Sequence, residues 1–400
     1  MIQQSNQRQG TARNRGLEAA QGEFVYFMDS DDLILPECFE TCYQACTADE
    51  LDFVTFDTVG FLDSPNNPRP DLFPEVKDRR GFTRETICDG PSFWMENFQH
   101  GRVPIICWME YFRRSFLLEN DLFFKERIYF EDNDWTLRVF LAAKRLRYLP
   151  FAPHRYRERP GSNVHSGFKQ VLAESCFDVH RILCKMVSEE ADPTRIRMIW
   201  DLNNVVNLRF RQFADLSPDD NFKQQTCVFT LETLETIRQE QDSSYAYRMH
   251  LETMLNLVAG VREWQNFNMP FDGETFLTLL FPGLSSDFAH KRIALYGTGR
   301  VCSILTALID FKHPDIVFLE SMPSEKTTFK NRPVLCVSEA GNMGIEVVLI
   351  ATTRFAREII ENVHRYLGEH LPVYQISNAI FSLEWLLDPN VLKNGSLLSL

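Results

Sequence analysis

Asp29-Ser30-Asp31-Asp32 follows directly on the apolar run Phe24-Val25-Tyr26-Phe27-Met28. Such a run predicts a short buried strand. Carboxylates just past its C-terminal end would stand at the lip of a parallel sheet, where folds of that kind bind ligands. Asp29 and Asp31, one residue apart, can both reach a hard divalent cation. Mn²⁺ or Mg²⁺ takes oxygen ligands and shares phosphate oxygens, and it would neutralise a departing diphosphate. The same residues also read as a solvated acidic turn capping the next helix, since Asp and Ser are good caps.

A second constellation lies far along the chain. Arg292-Ile293-Ala294-Leu295-Tyr296 is an apolar strand candidate running into Gly297-Thr298-Gly299, with an apolar helix expected from Val301 to Ile309. Gly297 and Gly299 permit a tight turn and close approach of a phosphate to a helix N-terminus, although Cys302 occupies the third glycine position of a dinucleotide fingerprint. Glu320, at the end of the strand candidate Ile316-Val317-Phe318-Leu319, could bind ribose hydroxyls. A nucleotide is therefore a candidate ligand of this module, against a ligand-free structural α/β domain. No Tyr-x-x-x-Lys pair follows, which argues against redox chemistry.

The elements that must carry these residues define the domain map. Gly10 to Ala20 is rich in helix formers and closes near Gly22. Pro36 fits the first turn of a helix, and Leu51 to Phe56 is a further strand candidate. Helix, strand and helix in succession predict an α/β sheet over 1–165, with a surface loop between Pro65 and Pro74. Residues 166–288 have helical spacing, as at Val179, Ile182, Leu183 and Met186, and predict a helical segment serving as spacer or docking surface. Residues 289–378, with a strand at Val347 to Ile350 and a helix from about Arg354, predict a small parallel Rossmann-like domain, leaving 379–400 as a tail.

Bulk properties narrow the classes. The chain has 400 residues, enough for two or three domains, and a formal net charge of −13 that argues against a general nucleic-acid binder. No apolar run is long enough to cross a bilayer, and the polar start Ile2-Gln3-Gln4-Ser5-Asn6 is unlike a secretory signal. Ten cysteines without a small-domain framework read as reduced thiols, which predicts a cytoplasmic protein. Cys38, Cys42 and Cys46 recur every four residues and read as buried thiols on one helix face. Among nine histidines no ligand pair stands out, while His154 and His165 flank the Tyr156-Arg157 segment as weak substrate or metal candidates.

Two blocks carry a resemblance. Gly10-Thr11-Ala12-Arg13-Asn14-Arg15-Gly16-Leu17 and Gly22-Glu23-Phe24 through Asp29-Ser30-Asp31-Asp32, with Pro36 beyond, resemble the family 2 glycosyltransferases of the GT-A fold. Trp108 to Ser115, Asn120 to Phe124, Phe130-Glu131-Asp132-Asn133-Asp134, and Tyr156-Arg157-Glu158-Arg159-Pro160 resemble its acceptor-side segments. The resemblance implies an inverting sugar transfer from a nucleoside diphosphate donor to a glycan acceptor, in surface-polysaccharide assembly. It implies a metal on Asp29 and Asp31, and catalysis by Asp132 with Glu131. Arg13, Asn14, Asp29 and Trp108 would contact substrate. Arg157 and Arg159 would hold the diphosphate through bidentate contacts, or be solvated loop charges. Glu131-Asp132 also reads as charge favoured at a helix N-terminus. Peripheral association with the inner face of a membrane is compatible with this setting, and no residue pattern defines an oligomeric state.

The family's first strand, its Tyr-Asn segment and its Asp-Asp-Gly-Ser-Thr-Asp segment have no counterpart here. The expectation is a partial GT-A domain. It is a fragment of an active transferase, or an inactive truncated one acting as a scaffold or binding protein, or, as a lesser alternative, one completed by strands from another chain. A different enzyme class is a haloacid-dehalogenase-type phosphatase with Asp29 as nucleophile. Asp32-Leu33 in place of Thr or Val, and the Arg- and Asn-rich helix ahead of the strand, argue against it.

Overall fold

The computed structural model describes residues 2–62, 78–79, 82, 85–100, 102, 105–158, 168–239, 244–271, 273–281, 283–284, 288, 290–298, 302, 305–306, 316–321, 328–329, 331–352 and 356–376. Arg159, His165, Gly299, the Pro65–Pro74 loop, most of the helix expected after Val301 and the expected tail lie outside them. The chain forms two compact units, one reaching to Val206 and one beginning at Asn207. The sequence suggests boundaries at 165/166 and 288/289 instead.

The first unit is built on a mixed sheet. Helix α1 (Arg8–Ala19) leads to strand β1 (Phe24–Tyr26), then β2 (Leu33–Ile34), helix α2 (Glu37–Ala48) and β3 (Phe53–Leu62). After β4 (Asp78–Arg79) come α3 (Gly90–Gln99), β5 (Glu110–Arg113), α4 (Arg114–Glu119), α5 (Glu131–Ala142) and β6 (Leu146–Glu158). The sheet order is β1-β5-β3-β6-β2, with β4 on β3. β1 pairs antiparallel with β5, so the expected parallel surroundings of Asp29 are corrected. Only β3 and β6 run parallel in this sheet among the described residues.

Both faces of β3 are covered, and its side chains alternate between them. Val54 and Phe56 pack with Cys38, Cys42 and Cys46 of α2, which are fully buried as the sequence predicts. Phe53 points the other way and meets Phe112 and Phe140, with Phe140 stacked on Phe93 of α3. Helix α3 is capped by Asp89, whose side chain accepts from the Ser92 amide at 2.7 Å. Gly90 lets α3 reach α5, since a Cβ there would stand 1.8 Å from the Phe140 carbonyl oxygen. Helix α6 (Gln170–Glu189) and the first part of α7 (Pro193–Arg211) also belong to this unit. They are tied to it by Ser175 Oγ accepting from the Tyr129 amide and by Arg195 donating to the Leu141 carbonyl.

The second unit starts helical, with α8 (Asp220–Gln239), α9 (Tyr245–Val261) and α10 (Gly273–Leu280). Phe210, Phe213, Phe222, Phe229 and Trp264 form its aromatic core. Its sheet contains β7 (Ile293–Tyr296), β8 (Val317–Glu320), β9 (Thr328–Phe329), β10 (Arg332–Cys336), β11 (Val347–Ile350) and β12 (Val373–Gln375), with helix α11 (Ala356–Leu367) before β12. The order is β12-β11-β7-β8-β10-β9. The pairings from β12 to β10 are parallel, and β9 adds an antiparallel edge that the sequence does not predict. Chain direction across the sheet reverses between β7 and β11, the topological switch point at which such sheets open a crevice.

Candidate active site

The site of the first unit is assembled on α1. Its buried positions, Gly10, Thr11, Asn14 and Leu17, repeat at helical spacing and set one face against the protein. Gly10 is required there, because a Cβ would stand 2.5 Å from the Lys125 carbonyl oxygen and 3.2 Å from Glu131 Cγ. One turn on, Asn14 Nδ2 donates to the Phe124 carbonyl at 2.9 Å and its Oδ1 accepts from the Phe124 amide at 2.8 Å. This buried amide pins the segment around Phe124 to α1.

Arg13 joins the two acidic blocks. Its Nη2 donates to Asp29 Oδ1 at 2.9 Å and its Nη1 to Glu131 Oε1 at 2.5 Å, with the guanidinium 5.4 Å from the Phe124 ring centroid. Burial alone would lower its proton affinity. Cys107, Asp29, Glu131 and Asp132 outweigh burial and raise it, so the guanidinium stays charged. Glu131 is 5% exposed, and burial, then the neighbouring charge of Asp132, push it up to about 7 against the opposing pull of Arg13. Asp132 is half-buried, and its Oδ1 accepts from Asn133 Nδ2 at 2.9 Å. Both acids begin α5, where helix polarity favours negative charge. The residue before them, Phe130, is left-handed at φ +60°, an unusual conformation for an aromatic residue.

The acidic loop is fixed from the other side by β6. Asp32 is buried: Oδ2 meets His154 Nε2 at 3.0 Å and Oδ1 accepts from the Arg157 amide at 2.9 Å. His154 Nδ1 meets Tyr26 Oη at 2.6 Å, and Tyr26 Oη also contacts the Trp108 carbonyl at 2.9 Å. Trp108 stacks on His154 at 4.4 Å and on Tyr156 at 5.6 Å. Arg157 Nε donates to the Asp31 carbonyl at 2.5 Å, and its guanidinium lies 5.0 Å from the Phe61 ring centroid. Asp32 is thus the loop's anchor, while Asp29 and Asp31 are only partly buried. Their hard oxygen donors suit a divalent cation.

The sequence therefore leads to residues that the structure brings together: Arg13, Asp29, Glu131 and Asp132 on one side, and Asp31 and Arg157 on the other, with Trp108 stacked on His154 beside them. Tyr26 and Asp32 as anchors, Cys107 beside the charges and the left-handed Phe130 are additions from the structure. Only His154 had a signal, its place beside Tyr156-Arg157. In the second unit Gly297, at φ +102°, turns the chain after β7 and donates to the Leu319 carbonyl at 2.9 Å. Glu320 Oε1 accepts from Thr298 Oγ1, so the turn after β7 and the end of β8 are tied together.

This fold and site define an α/β domain with a cluster of acidic side chains gathered on Arg13 and at the loop after β1. Residues 1–102 match the model of glycosyl transferase family 2. An uncharacterized glycosyltransferase of Bacillus subtilis, EpsJ, is 27% identical over 175 residues, 44% of this chain and 49% of that protein. A putative glycosyltransferase of the same organism, EpsH, is 30% identical over 180 residues, 44% of this chain and 48% of that protein. The chain thus spans about half the length of these curated relatives. A crystal structure of residues 1–349 of S. aureus TarS in complex with UDP-GlcNAc aligns with a TM-score of 0.43 at 17% identity, covering 65% of this chain and 72% of that one. No helix among the described residues is long and apolar enough to cross a membrane.

Proposed function

We propose that the first unit transfers a sugar from a nucleoside diphosphate donor to a glycan hydroxyl, with inversion at the anomeric carbon, in surface-polysaccharide synthesis. The observation that carries this reading is the Arg13 fork, which brings Asp29 and Glu131-Asp132, distant in sequence, to one guanidinium. Asp29 and Asp31 would hold a divalent cation, whose chemistry is to neutralise charge on the departing diphosphate. Asp132, the less buried acid of its pair, takes the proton of the acceptor hydroxyl as that oxygen bonds to the anomeric carbon. The bond from that carbon to the diphosphate breaks in the same displacement, and the nucleoside diphosphate leaves. Glu131, buried on Arg13, positions the base rather than replacing it. Arg157 supports the diphosphate side by holding the Asp31 backbone. Trp108, stacked on His154, lines the acceptor side.

In the second unit the switch point, Gly297 and Glu320 support a nucleotide-binding module. The match of residues 1–102 to the glycosyl transferase family 2 model supports action at the cytoplasmic side, with peripheral membrane contact. The test is calorimetric titration of the full chain with a panel of nucleoside diphosphate sugars in Mn²⁺, followed by detection of released nucleoside diphosphate with glycan acceptors. Saturable binding of one donor, lost in Asp31→Ala, is expected. If no donor binds, or binding is indifferent to Asp31→Ala, the transferase reading fails and the non-catalytic scaffold reading replaces it.

A further inference from the structure

Arg13 has one positive charge and two carboxylate partners that serve different halves of the proposed reaction. We propose that Arg13 is a positioning residue that couples cation binding at Asp29 to the charge on Glu131, so that the donor and acceptor halves of the site are energetically linked. The inference rests on the proposed cation site and goes beyond it.

The geometry makes the coupling direct. The two arms of one guanidinium are occupied separately, Nη2 by Asp29 and Nη1 by Glu131. A planar guanidinium with a fixed fork cannot turn toward one partner without loosening the other. Its mount is rigid, because α1 is seated by Gly10 and by the reciprocal Asn14–Phe124 bonds on either side of Arg13. The side chains of Arg13 and Glu131 are 12% and 7% exposed, so water screens this pair poorly, whereas Asp29 is 29% exposed and open to a ligand.

The sign of the effect follows. A cation approaching Asp29 meets a carboxylate already shared with Arg13, so the guanidinium weakens cation binding. Glu131 relieves this by drawing part of Arg13 to itself. When Glu131 is made neutral, Arg13 is left to Asp29 alone and competition with the cation grows. Linkage makes the effect mutual: a cation on Asp29 hands the guanidinium to Glu131, beside Asp132, as the donor side fills.

The test is a double-mutant cycle read by Mn²⁺ affinity, with free Mn²⁺ followed by electron paramagnetic resonance on the full chain. R13M is expected to bind Mn²⁺ about fivefold tighter and E131Q about fivefold weaker, the scale of a modest coupling between sites. In the R13M background E131Q is expected to change nothing, because the transmitting fork is gone. R13K keeps the charge but places a single ammonium on one carboxylate, and there too the E131Q effect should shrink; this variant serves if R13M does not fold. An E131Q effect of equal size with and without Arg13 would show plain long-range repulsion and overturn the coupling. Unchanged Mn²⁺ affinity in D31A would overturn the cation site itself, and the coupling with it.

Discussion

At the scale of single residues, the site separates two acids that are neighbours in sequence. Glu131 is buried on Arg13 and pushed up to about 7, whereas Asp132 is half-buried on the same helix start. Asp132→Asn is therefore expected to keep donor binding within about twofold and to slow transfer about 10²- to 10⁴-fold, the range for loss of a general base. Single-turnover kinetics beside a binding titration would show it, and substantial turnover in that variant would remove Asp132 from the role. Arg13, Asp29 and Asp132 were legible in the sequence as candidates, because the resemblance singles out their motif positions, and the structure brings Arg13 to Asp29 and Glu131. Asn14 was not legible in the same way: it was expected at substrate, yet its side chain is engaged with the backbone of Phe124. Nothing near Asn14 in the sequence names a partner 110 positions away. Asp32 likewise looks like its neighbours until the fold brings His154 to it.

Among the elements, helix placement rests on a few glycines. In Gly90→Ala the new Cβ would overlap the Phe140 carbonyl oxygen at 1.8 Å, so α3 and α5 must part. A cost of about 1–3 kcal/mol is expected, read as a lowered urea midpoint. Gly10→Ala should cost less, at 2.5 Å from the Lys125 oxygen, but it moves the helix that carries Arg13. Of the strands, β7, β8 and β11 were legible as short apolar runs between turn residues. β6 was hidden by Pro150 and Pro153, which ordinarily demote a strand. The register explains how both prolines are accommodated: Phe56 pairs with Leu149, and the next pair is Thr58 with His154. The residues between Leu149 and His154 bulge out against one residue of β3, so the prolines interrupt no regular ladder. That bulge also delivers His154 and Arg157 to the acidic loop.

Across the whole molecule, buried ionisable groups in the two units respond to pH in opposite senses. Asp201 in the first unit is pushed up to about 7, chiefly by burial and against its Arg197 partner. The native state then holds a proton that the unfolded chain has released above pH about 4. This contribution to stability is present at low pH and lost as pH rises toward 7. His250 in the second unit is lowered to about 4 by burial. The unfolded chain takes its proton near pH 6.5, so that contribution is present at neutral pH and lost as pH falls toward 4. Thermal melts should show D201N flattening the loss as pH rises from about 4 to 7 and H250Q the loss as pH falls from about 6.5 to 4, each by a few degrees, on the order of 2–4 °C per kcal/mol. Unchanged pH profiles in both variants would contradict these assignments.

Cys38, Cys42 and Cys46 lie along one face of α2, sealed against β3. A thiol reagent can reach them only when the helix lifts, because in the closed layer they are fully buried and burial pushes Cys46 up to about 12, which leaves little thiolate there. Their modification rate in the native protein is consequently a clock for opening of this layer, set by the fraction of time it stands open. Mass spectrometry of singly and triply labelled chains would tell how it opens. Label appearing first at Cys38 or at Cys46 marks fraying from one end of the helix, and simultaneous triple labelling marks release of α2 as one body.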